Sequence, residues 1–291
     1  MIYYILLVVS IILAVLKSSV YNTYAKTEKP DIKGVFMFNA FSYGVAALIA
    51  LVVFLFGETS ISLVTVFCAL GYAVIVFSLQ SLSIVAMRTG EMSLTSLIIL
   101  YGMIIPSLAG PIFWSEPFGI LQGVGIVAMI VSLWLLSDKT DGKNKITKKW
   151  IIIVALCFLL SGFAGVMEKI HQSTSAKAEK TSFILCACLC MLVFSLSGVL
   201  AVRKKSQNEV NIKKLSLLGS SSGVIVGLYS SVNLTLAGAL NSMIYYPVAN
   251  GGALLLTVVV SFLVFKEKLS KSKIIGFIIG LLAIVTLSLP V

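Results

Sequence analysis

The chain has 291 residues, of which 59% are hydrophobic and 11% are charged, and its formal net charge is +11. A typical soluble domain has about 25% charged residues, so this composition excludes an ordinary soluble protein and favours one embedded in lipid. The hydrophobic residues form ten runs. Each run is long enough to cross a hydrocarbon core about 30 Å thick as a helix.

The predicted spans, numbered 1 to 10 in chain order, cover residues 2–22, 35–56, 62–87, 92–113, 118–136, 150–170, 182–202, 215–238, 242–265 and 274–289. The runs are continuously apolar and do not alternate with polar residues, a pattern that predicts membrane-spanning helices. The first run has no basic segment before it and no small-residue cleavage site, so we expect a retained span and not a signal peptide. The expected fold class is an all-α integral membrane protein with ten transmembrane helices.

Most of the 22 lysines and arginines lie in the loops that follow spans 1, 3, 5, 7 and 9. The opposite side of the predicted bundle carries few basic residues, among them Lys169, Lys177 and Lys180. Short loops rich in Lys and Arg stay in the cytoplasm. We therefore predict a multi-pass protein of the inner (plasma) membrane with cytoplasmic basic loops and both termini outside. The positive charge then reflects topology, and no nucleic-acid partner is expected.

The residues for a metal site or for catalysis are scarce. All five cysteines fall within predicted spans, where cysteine behaves as a small apolar residue. Cys186, Cys188 and Cys190 form a CxCxC string, but alternate residues of a helix point apart and no histidine lies nearby. With one histidine and no HExxH or Walker motif, we expect no metal, no cofactor, no enzymatic activity and no direct use of ATP.

Several features of the first half of the sequence recur 151 positions later: AKTEK at 25–29 and AKAEK at 176–180, Glu116 and Glu267, and Gly125 and Gly276. The sequence therefore predicts a tandem duplication, with five helices in residues 1–140 and five in residues 141–291. Because five is odd, the second repeat enters the membrane from the opposite side. Such inverted repeats are typical of secondary transporters that work by alternating access.

Each predicted repeat ends in an aromatic-x-Glu turn before its last helix, as in FWSEPFGILQGVGIVAMIVSLWLL at 113–136 and FKEKLSKSKIIGFIIGLLAIVTL at 265–287. Together with the helix count and the duplication, this pattern resembles the ten-helix, EamA-like branch of the drug/metabolite transporter superfamily over the whole chain. The resemblance implies a secondary carrier with a central cavity that moves small metabolites without ATP. The chain departs from it in two respects. The second glycine of the last helix, Gly280, is replaced by Met129 in the first repeat, so we expect different packing there. Relatives are also usually drawn with cytoplasmic termini.

Two charged residues inside the spans, Lys17 and Glu168, are repeat partners and candidate substrate-binding residues. Lys17 either anchors an anionic substrate group or snorkels to the cytoplasmic interface. Glu168 either binds a cationic substrate, takes up a coupling proton, or is an interfacial carboxylate beside Lys169. Inversion places equivalent residues at mirror-related depths, so we predict two mouths of one pathway and no direct salt bridge. We expect His171, one turn later, to be a solvated residue at the loop edge, and the alternative role is a proton relay.

The remaining predicted substrate-binding residues are Gln80, Tyr101, Tyr229, Asn233, Tyr245 and Asn250. The two amides of spans 3 and 8 either line the site or bridge neighbouring helices. Tyr245 and its neighbour Tyr246 alternatively form an aromatic belt at the outer interface.

Three further sequence features predict local structure. Prolines in spans 4 and 9, Pro106, Pro111 and Pro247, predict helix irregularities. The glycines of GxxxGxxxG in span 8 predict a close helix-packing face. Glu116 and Glu267 are expected to be structural, because each lies beside the N-terminus of the helix that follows it.

The sequence thus predicts a secondary active transporter, an exporter or an importer, of a small polar or amphipathic metabolite. The expected partners are this substrate, the lipid bilayer, and a coupling proton or an exchanged metabolite. The protein is expected to be a monomer. The alternative is a membrane receptor or scaffold that binds a small ligand without transport.

Overall fold

The computed structural model describes residues 2–28, 31–56, 60–89, 92–136, 147–202, 212–263 and 271–289. These residues form eleven α-helices and no strand. The helices are α1 (Ile2–Glu28), α2 (Ile32–Phe56), α3 (Leu63–Thr89), α4 (Met92–Tyr101), α5 (Ile104–Trp114), α6 (Ile120–Leu136), α7 (Lys148–Ser173), α8 (Lys180–Ala201), α9 (Ile212–Ala239), α10 (Ser242–Leu263) and α11 (Lys271–Ser288).

Six stretches of the described helices are long and apolar enough to cross a membrane: Ile2–Ala25, Ile32–Phe56, Leu63–Met87, Lys148–Ser173, Lys180–Ala201 and Ile212–Ala239. Shorter apolar stretches at Ile98–Trp114, Ile120–Leu135 and Ile274–Leu287 coincide with predicted spans 4, 5 and 10. The prediction of an all-helical, multi-pass membrane protein is confirmed at this level.

Predicted span 4 contains two helices, because the α-helix is interrupted at Gly102 and the residue after it. Pro106 has no N–H to donate to the carbonyl of Gly102, four residues earlier, and its ring crowds that carbonyl. The Gly102 carbonyl instead accepts from the N–H of Ile105 at 3.1 Å. The irregularity predicted from Pro106 therefore lies one turn before it, whereas Pro111 and Pro247 lie inside α5 and α10 without a break.

The three glycines of the GxxxGxxxG motif in α9 pack against α2. A Cβ at Gly219 would lie 2.6 Å from the Cβ of Phe41, and a Cβ at Gly223 would meet the carbonyl oxygen of Ser42. A Cβ at Gly227 would meet only atoms in ordinary contact, the nearest at 3.6 Å. The predicted close packing face is confirmed, and it is tightest at the first two glycines.

Helices α6 and α11 pack against each other, and the hydroxyl of Ser132 in α6 donates to the carbonyl of Gly276 in α11 at 2.7 Å. A Cβ at Gly280 would lie 2.5 Å from the Ser132 hydroxyl oxygen. At the corresponding position of α6, the side chain of Met129 occupies the space that a Cβ at Gly251 of α10 would need. The packing therefore differs between α6 at Met129 and α11 at Gly280, as the sequence predicted.

The remaining contacts assemble the helices around a ring of four. Helix α2 packs against α8 and α9, α3 against α7 and α8, α1 against α9 and α10, and α7 against α4 and α5. Helix α10 packs against α5. In addition α1 contacts α3, and α7 contacts α9, so that α1, α3, α7 and α9 form a closed ring of neighbours. This ring holds the charged residues that the sequence places inside the spans.

Candidate functional site

Each helix of the four-membered ring contributes one side chain to a polar cluster. Lys17 lies on α1, Tyr72 on α3, Glu168 on α7 and Tyr229 on α9. We call these four residues the central cluster. Because α1 and α3 belong to the N-terminal half of the chain and α7 and α9 to the C-terminal half, the cluster is shared between the halves.

The ammonium of Lys17 lies over the aromatic ring of Tyr229, with 4.0 Å between Nζ and the ring centroid. This is a cation–π contact, which becomes stronger where water is excluded. The contact holds the lysine against α9. The alternative that Lys17 snorkels to the cytoplasmic interface stays a prediction. Among the described residues, none accepts a hydrogen bond from the Lys17 ammonium.

The carboxylate of Glu168 is buried, with 7% of the residue exposed. The hydroxyl of Tyr72 donates a hydrogen bond to its Oε1 at 3.0 Å. The negative charge also acts on Tyr229 and on Tyr245. Glu168 is therefore a buried carboxylate close to phenol groups.

Lys17 and Glu168 interact electrostatically, but they do not form a direct ion pair within the described part of the chain. The charge of Glu168 acts on Tyr229, whose ring carries the Lys17 ammonium. The two charges therefore lie within electrostatic reach of each other in the four-helix ring. Their assignment to two mouths of one pathway stays a prediction.

Asn233 and Ser10 support the central cluster. The hydroxyl of Ser10 donates to Oδ1 of Asn233 at 2.6 Å, which joins α1 to α9. The side chain of Asn233 also interacts with Tyr229. Ser10 is not among the predicted residues, although it lies two helical turns before Lys17 and therefore on the same face of α1. That spacing is the signal that could have identified it.

A small cavity adjoins the carboxylate of Glu168. Its volume is about 10 Å³, and it is lined by Tyr72, Phe183, Ile184, Ala187, Cys188, Met191, Ser230 and Leu234 in addition to Glu168. A space of this size holds about one water molecule. Tyr72 was missed by sequence reasoning as well, although a phenol hydroxyl in the middle of an apolar span is a usable signal.

Gln80 connects two helices of the N-terminal half. Its Oε1 accepts a hydrogen bond from Tyr43 at 2.5 Å, and its Nε2 donates to Oδ1 of Asn39 at 2.9 Å. Both partners lie on α2. Of the two roles considered for this amide, the structure places it in the bridging one.

The other predicted residues lie on α4 and α10. The hydroxyl of Tyr101 donates to the carbonyl of Ile130 in α6 at 3.1 Å, and Nδ2 of Asn250 donates to the carbonyl of Tyr246 in its own helix at 2.9 Å. Tyr245 is 1% exposed and packs against Tyr246, with 4.5 Å between ring centroids. The alternative of an outer aromatic belt is therefore wrong for both tyrosines.

Glu116, which follows α5, connects the two halves of the chain. Its Oε1 forms an ion pair with Lys169 near the end of α7. Its Oε2 accepts from the backbone N–H of Ser242, the first residue of α10, at 2.7 Å. Lys169 also donates to the carbonyl of Leu240 at 3.4 Å. The sequence predicts that Glu116 stabilises the start of α6, but it caps α10 instead. Its repeat partner Glu267 lies outside the described residues.

Glu179 makes a second connection between the halves. Here a residue of the C-terminal half contacts a helix of the N-terminal half, the reverse of the arrangement at Glu116. Glu179 precedes α8, and its Oε2 accepts from Thr65 Oγ1 at 2.5 Å and from the N–H and hydroxyl of Ser62 at 2.8 and 2.9 Å. Ser62 directly precedes α3, so Glu179 binds the N-terminus of a helix from the other half. The hydrogen bonds from Thr65 and then Ser62 lower the pKa of Glu179.

His171 is fully buried and contacts Thr65, the same residue that donates to Glu179. Its Nε2 is 3.3 Å from Thr65 Oγ1, its Nδ1 is 3.0 Å from Nε2 of Gln172, and its ring packs against Phe183 with 4.4 Å between centroids. The expectation that His171 is solvated is wrong, because the hydroxyl and amide partners replace water.

Both connections lie at the end of the bundle where α5, α7 and α9 finish and where α3 and α10 begin. We call this the junction end. No sequence pattern identified Glu179 as a connecting residue, because its partners are more than a hundred positions away in the chain.

The comparisons with known proteins establish the fold but no family. No protein-family model and no curated protein matches the chain. A solved structure described as "Crystal structure of protein" superposes with a TM-score of 0.72 over 96% of each chain at 10% sequence identity. The helical fold is therefore one that occurs in a solved structure.

Proposed function

We propose that this protein is a secondary active transporter of a small polar or amphipathic metabolite, and that it works by alternating access between two inverted five-helix repeats. The observation that carries the proposal is the pattern of helix contacts, which keeps its form when each helix is exchanged for its predicted repeat partner. The exchange replaces α1 by α7, α2 by α8, α3 by α9, the α4 and α5 pair by α10, and α6 by α11.

The contact pairs transform into one another under this exchange. Under this exchange, the contact of α1 with α9 corresponds to the contact of α7 with α3. In the same way, the contact of α2 with α9 corresponds to that of α8 with α3, and the contact of α1 with α10 corresponds to that of α7 with α4 and α5. The pairs α2 and α8, α5 and α10, and α6 and α11 each map onto themselves. These contacts support a pseudo-two-fold axis between the halves, since such an axis relates each contact to a counterpart. The contact of α6 with α10 departs from the pattern, because the described residues give no comparable contact of α11 with α4 or α5.

The central cluster supports a transport pathway between the halves. A charged side chain within a membrane is costly and usually faces a substrate or ion pathway. Lys17 and Glu168 come from different halves and share Tyr229, so a rocking motion of the halves would change their surroundings. We propose that Tyr72 and Asn233 belong to the same site.

The junction end supports one closed gate. We propose that the contacts of Glu116 and Glu179 close the pathway at this end, and that the end faces outside because the loops there carry few basic residues. The same duplication would provide an equivalent closure at the other end in the alternate state. Closure at one end and release at the other is what alternating access requires.

We further propose that the chain belongs to the EamA-like branch of the drug/metabolite transporter superfamily, acts as a monomer in the plasma (inner) membrane, and couples transport to a proton or to an exchanged metabolite. The turns at Glu116 and Glu267 and the duplication support this assignment. The likeness to a solved helical structure is compatible with it and supports the fold alone.

Reconstitution tests the proposal. The purified protein is placed in liposomes, and flux of amino acids, amines, sugars, nucleosides and phosphorylated metabolites is measured without ATP. In a background without native cysteines, Glu116→Cys and Ser242→Cys are cross-linked across the junction end. We expect flux of at least one solute, loss of this flux on cross-linking, and recovery on reduction. A solute that binds but never crosses would support a receptor instead.

A further inference from the structure

The central cluster leaves two opposite charges incompletely satisfied. The Lys17 ammonium has three N–H donors, yet the contact that the structure gives it is the face of the Tyr229 ring. The carboxylate of Glu168 accepts one hydrogen bond, from Tyr72 to Oε1, and Oε2 has no donor among the described residues. Neither Nζ of Lys17 nor Oε2 of Glu168 is among the fully buried polar atoms without a partner, so both groups keep hydrogen-bonding capacity for a ligand that reaches the cluster.

A purely structural role for these residues would give a different arrangement. Two buried opposite charges that serve only to neutralise each other gain most when they form a direct, hydrogen-bonded pair. Lys17 and Glu168 interact electrostatically without pairing, and the ring of Tyr229 lies under the ammonium. The junction-end residues Lys169 and Glu116 show the alternative in the same molecule, because they do form a direct ion pair.

We propose that the substrate is a small zwitterion, with an anionic group that binds Lys17 and a cationic group that binds Glu168. The inference rests on the proposed transport function and on the same site. A zwitterion supplies acceptors to the ammonium and donors to the carboxylate at once, and its net charge of zero leaves the charge balance of the site unchanged. A lone anion or cation would satisfy one residue and leave the other unpaired.

The tyrosines define where each end of the substrate lies. Tyr229 contacts Lys17, and Tyr72 donates to Glu168, so a phenol group accompanies each charge. An ammonium group of the substrate at Glu168 would also lie near aromatic faces, which favour cations. The cavity of about 10 Å³ beside Glu168 does not hold such a molecule. The zwitterion therefore enters when the helices of the ring separate.

Binding to matched probe series tests the inference. The probes are glycine, β-alanine and γ-aminobutyrate, each compared with the carboxylic acid and the amine of the same chain length. Binding to the detergent-purified full chain is measured by titration calorimetry at neutral pH, where the amino acids are zwitterions. We expect one zwitterion to bind at least about tenfold more tightly than both of its matched ions. The best chain length then reports the separation of the two charges.

Charge-removing variants assign the two ends. In Lys17→Met the zwitterion should lose its advantage over the amine, and in Glu168→Gln it should lose its advantage over the acid. Lys271→Met removes an exposed lysine at the start of α11 and is the matched control, which should bind like the parent protein. Equal weakening of all three probe classes in both variants would indicate a folding defect, so the unfolding midpoint of each variant is measured as well.

The outcomes separate this inference from the proposed function. Tight binding of a matched acid or amine, or no binding of any zwitterion in the series, overturns the inference. Flux of another solute class in the liposome assay would still support transport. Conversely, selective binding of a zwitterion that never crosses the liposome membrane would support the site and overturn the transport function.

Discussion

Glu116 and Lys169 form an ion pair that joins the loop after α5 to the last turns of α7. Their side chains are 12% and 11% exposed, so the pair is largely shielded from water. The same carboxylate caps α10 through Ser242. One residue of the N-terminal half therefore holds two helices of the C-terminal half at the junction end.

We expect Glu116→Gln to destabilise the junction end by about 1.5–3 kcal/mol, because it removes charge-assisted hydrogen bonds and leaves Lys169 unpaired. Accessibility of Ser242→Cys to a membrane-impermeant thiol reagent, in a background without native cysteines, should increase in the variant. Ser242 is 1% exposed in the structure.

Lys177→Met is the matched control for this prediction, because Lys177 is exposed in the loop after α7 and lies near the same end. It should leave the labelling of Ser242→Cys unchanged. Labelling that is equally fast with and without the Glu116→Gln substitution would contradict a role of this ion pair in closure.

Glu179 predicts a pH dependence of stability at acidic pH. Hydrogen bonds from Thr65 and Ser62 lower its pKa below the ordinary value of 4.5. A lowered pKa in the folded state means that the carboxylate stabilises the fold above about pH 4.5, and that this contribution disappears as the pH falls through the lowered pKa. His171 and Lys180 carry the neighbouring titratable groups and are the same in parent and variant.

The unfolding midpoints of the parent protein and of Glu179→Gln, measured between neutral and acidic pH, test this dependence. The difference between them should be constant above about pH 4.5 and should shrink below it. A difference that stays constant into strongly acidic conditions would show that the charge of Glu179 does not contribute.

The duplicated pentapeptides show what the sequence could and could not predict. Their spacing indicated a repeat, but the two copies differ in structure: residues 25–28 continue α1, whereas residues 176–179 form a turn after α7. The hydroxyls of Ser173 and Thr174 bond to the carbonyls of Ile170 and His171 and end α7. Such local side-chain bonds compete with the helix, and they leave the second copy free to reach α3.

The all-helical character and the approximate helix boundaries followed from the continuous apolar runs, because lipid requires every span to satisfy its own backbone. The helix number differs, because predicted span 4 is divided into α4 and α5. The charged residues were also found, since any charge in a span is conspicuous. Their partners were not. Tyr72 contacts Glu168 from 96 positions away, and Glu179 contacts Ser62 from 117 positions away. Contacts of this kind depend on how the helices pack, which one sequence does not encode locally.

We predict that substitution by alanine changes the stability differently at two glycines of α9 that lie one turn apart. Gly223→Ala should destabilise the protein by about 1–3 kcal/mol, because the added methyl group would overlap the carbonyl of Ser42 and the Cβ of Val45. Gly227→Ala should be neutral or slightly stabilising, because its methyl group meets Ala46 at 3.6 Å and alanine favours the helix. Thermal unfolding in detergent measures both. Equal effects of the two substitutions would contradict the close approach of α9 to α2 at Ser42.

The two charges of the central cluster predict a non-additive effect on stability. Lys17→Met alone leaves Glu168 without the nearby positive charge, and Glu168→Gln alone leaves Lys17 without the negative one. Removing both leaves no uncompensated charge, so we expect the double variant to be more stable than the sum of the single effects by about 0.5–3 kcal/mol.

A second cycle provides the control for this coupling. Lys17→Met combined with Glu179→Gln should give additive changes, because Glu179 interacts with Ser62, Thr65 and His171 at the junction end and distant sites usually add within about 0.5 kcal/mol. Unfolding free energies of the four proteins in each cycle supply the comparison. Additivity in both cycles would show that Lys17 and Glu168 do not act on each other, whereas coupling in the first alone places them in one site, as recognition of a single substrate by both charges requires.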